Sequence, residues 1–218
     1  AGDYDNDGFQ DLYLSNYGDN ILYHNDGNGK FSDVTKKAGA GRGFRVGAGA
    51  SFLDYDNDGN LDLFAANYVK FSEDKPVVLT MRGVRVYPGP KDFPPETNTL
   101  FHNNGNGSFT DVSKESGIAA HSRTGMGMVS GDYDNDGYPD VFVANDVAGN
   151  FLFHNQRNGK FREVGLMAGV AFDRNGMPHG NMGVDCADYD NDGLLDFYVT
   201  AFKTESAVLY RNLGHGLF

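Results

Sequence analysis

One nine-residue acidic pattern constrains this chain more than any other feature, because it occurs four times. It reads DYDNDGFQD at Asp3–Asp11, DYDNDGNLD at Asp54–Asp62, DYDNDGYPD at Asp132–Asp140 and DYDNDGLLD at Asp188–Asp196. The starts lie 51, 78 and 56 residues apart. Self-similarity at such spacings marks an array in which each repeat is one supersecondary unit. The flanks repeat as well. A β-rich run follows each pattern, at Asp11–Ser15, Asp62–Ala66, Asp140–Ala144 and Asp196–Thr200. A second run comes at Ile21–Asn25, Thr99–Asn103, Asn150–Asn155 and Ala207–Asn212. Turns rich in Asn and Gly come next, at Gly27–Gly29, Gly105–Gly107, Arg157–Gly159 and Gly214–Gly216. Asn-Gly between β-type runs is a strong hairpin signal. A third run lies at Phe31–Thr35, Phe109–Ser113 and Phe161–Val164. Small-residue strands precede three of the acidic patterns, at Val46–Leu53, Gly125–Gly131 and Asn181–Ala187.

These runs give four strands per unit, with the acidic loop between the first and the second. The expected fold class is all-β: a β-propeller of four-stranded blades, about four of them present, forming one segment over residues 1–218 of a larger propeller. The first unit lacks its small-residue strand, and the fourth stops where its last strand should start. Both ends therefore read as truncated. The alternative is a small ring of four, closed by pairing of the termini. The 30 glycines among 218 residues fit many tight turns and oppose a mostly helical chain, since an interior Gly costs a helix about 1 kcal/mol.

Each acidic loop places Asp at positions 1, 3, 5 and 9 and Gly at 6. Four carboxylates this close repel one another unless a cation sits among them. Hard oxygen ligands at this spacing suit Ca²⁺, and Gly at position 6 permits the turn that folds a loop around the ion. The expected ligands of the first loop are Asp3, Asp5, Asp7 and Asp11, with the main-chain carbonyl of Phe9. Those of the second are Asp54, Asp56, Asp58 and Asp62, with Asn60. The third loop offers Asp132, Asp134, Asp136 and Asp140, with Tyr138. The fourth offers Asp188, Asp190, Asp192 and Asp196, with Leu194. About one Ca²⁺ per loop gives about four per chain. Position 12 is Leu14, Ala65, Val143 and Val199. An EF-hand needs a bidentate Glu there, so that reading fails. The invariant Tyr and Asn at positions 2 and 4 are expected to pack and brace the loop.

The charge balance agrees. Sixteen of the 30 acidic residues are loop aspartates, and four Ca²⁺, contributing +8, would bring the net charge from −12 to −4. An acidic surface repels phosphate backbones, so nucleic acid is not an expected partner. No run of about 18 apolar residues offers a transmembrane helix. The single cysteine, Cys186, leaves no intrachain disulfide and is expected to pack as a small hydrophobe.

The D-x-D-x-D-G-x-x-D loops behind small-residue strands resemble FG-GAP (VCBS) repeats. Longer strings resemble the ASPIC/UnbV, cartilage-acidic-protein-like family: FSDVTKKAG at Phe31–Gly39, LFHNNGNGSFTDVS at Leu100–Ser113, VYPGPKDFPPE at Val86–Glu96 and LYRNLGHG at Leu209–Gly216. The resemblance covers essentially the whole chain. It implies a calcium-stabilised propeller, normally of about seven blades, exported from the cytoplasm to the periplasm, the cell surface or the medium. The chain holds only four repeats, and the family's C-terminal region is not among them.

Departures from the repeat are where a specific function is expected. The longest is the insertion Asn67–Asn98. It carries Lys70, Lys75, Arg82, Arg85 and Lys91, together with five prolines, on an otherwise acidic chain. It is read as a contact surface for a protein partner or for the rest of an assembly; packing against a neighbouring blade is the competing reading. His24, His102 and His154 share one repeat position, held by Arg211 in the fourth unit, and are read as structural. His121, His179 and Asp185 lie off the repeat, with Asp185 expected to line the central channel. No nucleophile elbow, P-loop, Rossmann glycine pattern, CxxC or HExxH occurs. The expected function is thus a non-catalytic, calcium-binding propeller acting as an extracytoplasmic binding or scaffold module. A hydrolase or lyase using His121, His179 or Asp185 is one alternative. A structural subunit of a larger assembly, redox assemblies included, is the other.

Overall fold

A computed structural model describes residues 1–41 and 43–218. The chain is all-β, with four principal antiparallel sheets stacked in chain order. The first sheet holds Leu12–Leu14, Ile21–Asn25 and Phe31–Asp33. The second runs Phe109–Asp111, Thr99–Asn103, Asp62–Asn67, Arg45–Leu53 and Tyr17–Gly18. The third is Gly125–Gly131, Asp140–Asn145, Phe151–Asn155 and Phe161–Glu163. The fourth is Asn181–Ala187, Asp196–Ala201 and Val208–Tyr210. The expected strands are all present, shifted by a residue or two at their ends. Four-residue helices at Thr35–Ala38 and Gly165–Ala168 follow the third strands of the first and third units.

Two expectations need correction. Among the described residues only the third sheet is four-stranded; the second gains Tyr17–Gly18 from the first unit as an edge strand beside Arg45–Leu53, through Tyr17↔Val46 and Gly18↔Arg45. Nor is there a closed ring of four. Among the described residues no strand pairing joins the first sheet to the fourth. The physical reason is plain: ahead of its acidic loop the first unit offers only the isolated bridge Gly2↔Asp11, and the fourth ends its sheet at Tyr210.

Successive sheets bury one another's faces. Leu22 of the first packs with Leu63, Phe101 and Phe109 of the second. Phe64 and Leu100 meet Val141, Val143, Phe151 and Phe153 of the third. Phe142 and Leu152 meet Phe197, Val199 and Tyr210 of the fourth. The central strands Asp62–Asn67 and Asp140–Asn145 are therefore buried along their whole length. Leu12–Leu14, covered on one side only, leaves its two leucines exposed. This is the nearest-neighbour energetics of a repeat array, in which each unit is stabilised by the next.

The small-residue strands lie innermost and against one another. A Cβ on Gly49 would sit 2.8 Å from the Met126 carbonyl oxygen, and one on Gly127 would sit 2.6 Å from that of Met182. Backbone approaches backbone too closely there for a side chain, which explains the glycines at positions 49 and 127. Ser51 Oγ and Ser130 Oγ meet at 3.4 Å across the same seam. The acidic loops of the second, third and fourth units follow the ends of these strands, and side-chain bonds between neighbouring loops set all four along one rim. The insertion leaves the opposite ends of the second sheet's strands, from Asn67.

Candidate metal centres

Each loop folds on its own aspartates before any ion is considered. In the first loop the position-1 carboxylate, Asp3, accepts the N–H groups of Asp7 and Gly8 at 3.1 and 2.9 Å. Asp7, at position 5, accepts the Phe9 N–H at 2.9 Å. Asp11, at position 9, is fully buried and accepts Tyr4 N–H at 3.1 Å and Asn25 N–H at 2.8 Å. The same five bonds recur at Asp54, Asp58 and Asp62, at Asp132, Asp136 and Asp140, and at Asp188, Asp192 and Asp196. Position 4 is left-handed in every copy, with φ of 57–59° at Asn6, Asn57, Asn135 and Asn191. Asn tolerates that conformation better than most residues, which accounts for its invariance. Gly at position 6 is left-handed too, with φ of 93° at Gly8.

The loops are chained. Asn6 Nδ2 donates to the Gly59 carbonyl, Asn57 Nδ2 to Gly137 and Asn135 Nδ2 to Gly193, at 3.3, 2.9 and 3.0 Å. The position-2 Tyr of each of the first three units packs on a Phe of the following unit: Tyr4 on Phe109, Tyr55 on Phe161 and Tyr133 on Phe218, at 5.5–5.9 Å between ring centroids. The carbonyl oxygens of those tyrosines accept Nδ2–H of Asn103, Asn155 and Asn212. The bracing expected of Tyr and Asn is real, and it acts between units rather than within one.

The carboxylates left over converge. One oxygen from each of Asp3, Asp5 and Asp7 lies within 4.8 Å of the others, as it does for Asp54, Asp56 and Asp58. Asp56 Oδ1 and Asp134 Oδ1, both at position 3, are buried and have no hydrogen-bond partner. A buried anionic oxygen without a donor is costly unless something positive faces it. The electrostatics carry the same strain. Burial, opposed by the N–H groups of Asn103 and Tyr55, pushes the Asp62 carboxyl up to about 7. Burial likewise raises Asp140 to about 8. Asp5, Asp56 and Asp134 are raised by burial and by neighbouring aspartates. Hard oxygens with this charge and closeness fit Ca²⁺.

The repeat histidines, read from the sequence as structural, stand over the loops. His24 Nδ1 lies 3.2 Å from Asp5 and 3.3 Å from Asp11. His102 stands the same way over Asp56 and Asp62, and His154 over Asp134 and Asp140, at 3.2–3.5 Å. Their shared register with the loops was the available signal. In the fourth unit Arg211 takes the place, with Nε 2.7 Å from Asp190 and Nη2 3.5 Å from Asp192. The off-repeat residues do not assemble. The His121 ring packs on Phe151 and Phe153, His179 Nε2 sits 3.2 Å from Asp173, and Asp185 is exposed. No hydrogen bond or ion pair joins the three to one another among the described residues. Cys186 packs beside the third inter-sheet core, and burial pushes its thiol up.

The insertion is anchored at its base and free at its tip. Phe71 packs on Tyr17 and Phe93, Arg45 Nη1 meets Glu96 at 3.1 Å, and Val69 bridges Pro95. Beyond that base, Leu79–Met81 and Val84–Val86 form a hairpin. All five predicted basic residues are exposed: Lys70, Lys75, Arg82, Arg85 and Lys91. Tyr87 is 99% exposed. Among the described residues no helix is long and apolar enough to cross a membrane.

Comparison with known proteins fits this repeat geometry. The FG-GAP-like repeat model matches residues 3–65, 92–143 and 132–199. The chain is 28% identical to cartilage acidic protein 1 of Mus musculus over 230 residues, covering 99% of this chain and 32% of the relative. It is 26% identical to the Homo sapiens protein of that name over 210 residues, covering 90% of this chain and 29% of the relative. The Xenopus tropicalis protein is 31% identical over 113 residues, covering 50% and 17%. The chain thus spans about a third or less of the relatives it matches. With the family model covering most of its length, this chain belongs to the FG-GAP-like repeat family.

Proposed function

We propose that this chain is a segment of a calcium-loaded β-propeller that serves as a non-catalytic, extracytoplasmic binding or scaffold module. The observation that carries the reading is the partnerless buried carboxylate oxygen at position 3 of two acidic loops, set among aspartates whose other oxygens are already held by backbone N–H groups. The residues that would hold the ion are the aspartates at positions 1, 3, 5 and 9, with the position-7 carbonyl of Phe9, Asn60, Tyr138 and Leu194. The bound ion would halve the charge of each loop's four aspartates, from −4 to −2, and so stabilise the seam through which Asn and Tyr link one unit to the next. The relatives named for cartilage support an extracellular setting. The exposed basic hairpin of the insertion is the part we assign to a protein partner.

The enzyme alternative has less support. An open cleft of about 640 Å³ beside Asp173, His179 and Glu205 is the place for it. Its groups are already engaged, Asp173 with His179 and Glu205 with the Gly180 N–H at 2.6 Å. Metal analysis of protein equilibrated with calcium tests the main reading. About four Ca²⁺ per chain are expected, one for each loop; no calcium, or a stoichiometric transition metal, contradicts it.

A further inference from the structure

The four loops share a sequence but not an electrostatic setting. In the first three, the neighbouring strand presents His24, His102 or His154 to the position-3 and position-9 aspartates. In the fourth, Arg211 occupies that register and lays its guanidinium on positions 3 and 5, Asp190 and Asp192. An imidazole can be neutral, and can yield to a cation or ligate one. A guanidinium can be neither neutral nor a ligand: it has no lone pair to give and keeps its proton in a protein. The third loop also meets an arginine, but Arg157 bonds Asp136, at 2.7 Å, and Asp134 faces His154 instead. Its Asp134 Oδ1 stays buried and partnerless.

We infer that the fourth loop, Asp188–Asp196, is a low-affinity, exchangeable calcium site whose resting cation is Arg211, while the other three are filled first. This rests on the reading of the loops as calcium sites. To enter, Ca²⁺ must displace the guanidinium or share carboxylates with it. Repulsion between a divalent ion and a fixed positive charge a few ångströms away weakens binding by about tenfold or more at the effective dielectric of a protein surface. With its side chain about half exposed, Arg211 can swing out, so the site is weakened rather than abolished. The arginine also spares the fourth loop the self-repulsion of an empty site. The consequence is a graded module: three loops stay loaded, and the fourth follows changes in calcium at the end of the sheet stack.

Calcium titration against a chromophoric chelator, on the full 218-residue chain and on Arg211→His and Arg211→Gln, tests this. The unsubstituted protein should show one site about tenfold or more weaker than the others, and either substitution should bring it to within a few-fold of them. Equal affinity at all four loops, or a weak site unmoved by both substitutions, overturns the inference and leaves the calcium reading standing. Absence of calcium at every loop overturns that reading too, and is a different result. If the variants do not fold, crystals of the unsubstituted protein at limiting calcium give the same answer. Anomalous density should be weakest at Asp188–Asp196, and equal density in all four loops contradicts the proposal.

Discussion

The rim of acidic loops and the insertion between Asn67 and Asn98 are built on opposite logics. The rim repeats one loop four times and fixes it with backbone N–H groups, left-handed Asn and Gly residues, and Asn and Tyr contacts to the next unit. The insertion occurs once, is anchored by Phe71, Glu96 and Val69, and then projects a hairpin with exposed Met81, Val84 and Tyr87. The rim encodes how units stack. The insertion is the longest departure from the repeat. Damage to the rim should therefore unfold the protein, and damage to the insertion should cost it only recognition.

The largest effect should come from removing calcium. Chelation should lower the melting temperature by on the order of 10 °C or more, because binding free energy at several sites is folding free energy. Superimposable melts with and without EDTA would place stability elsewhere than the rim. Next is Asp140→Ala. It strips the acceptor from Tyr133 N–H and Asn155 N–H in a buried position, with an expected loss of about 2–5 kcal/mol from two unsatisfied donors. Urea unfolding with calcium present measures it, and a loss under 1 kcal/mol would show that the loop does not depend on its buried carboxylate.

The pH response separates the empty rim from the loaded one. Burial raises Asp62 to about 7 and Asp140 to about 8 in the metal-free fold. Both carboxyls have an unfolded value near 4. Between those limits the folded chain holds protons that the unfolded chain has released. Metal-free stability is therefore greatest below about pH 4 from this source and declines as pH rises towards 8. With calcium bound the trend reverses, because deprotonated carboxylates ligate better. Melts at pH 5 and pH 8, with and without chelator, should show opposite slopes; parallel slopes would contradict it.

The smallest effect on stability should come from replacing Asn67–Asn98 with the short Tyr17–Asn20 connection. Surface loops tolerate large length changes at about 1 kcal/mol or less. Calcium content should be unchanged, while association with a native partner should weaken, more so at low ionic strength. Loss of folding in this variant would make the insertion part of the core instead.

Much of this was legible in the residues because repetition averages away local ambiguity. Four aligned copies placed nearly every strand, though the close approach at Gly49 and Gly127 shows only in the fold. What escaped was relational. Nothing in DYDNDG says that Asn57 reaches the carbonyl of Gly137, 80 residues on. Nor does a His before an Asn announce that it overlies the carboxylates of its own unit's loop. Tyr17–Gly18 was invisible as a strand because two residues carry no periodicity; it exists only through pairing with Arg45 and Val46. The hairpin at Leu79–Val86 was hidden by a turn at Arg82–Gly83, where a non-glycine takes φ of 50°.

The central claim is that the rim is a row of calcium sites, and anomalous diffraction tests it most directly. Crystals grown in saturating calcium should give a peak within each acidic loop, coordinated by the aspartates at positions 1, 3, 5 and 9 and the position-7 carbonyl, at about 2.3–2.6 Å. Loops that stay free of anomalous density at saturation, with the protein still folded, would contradict it.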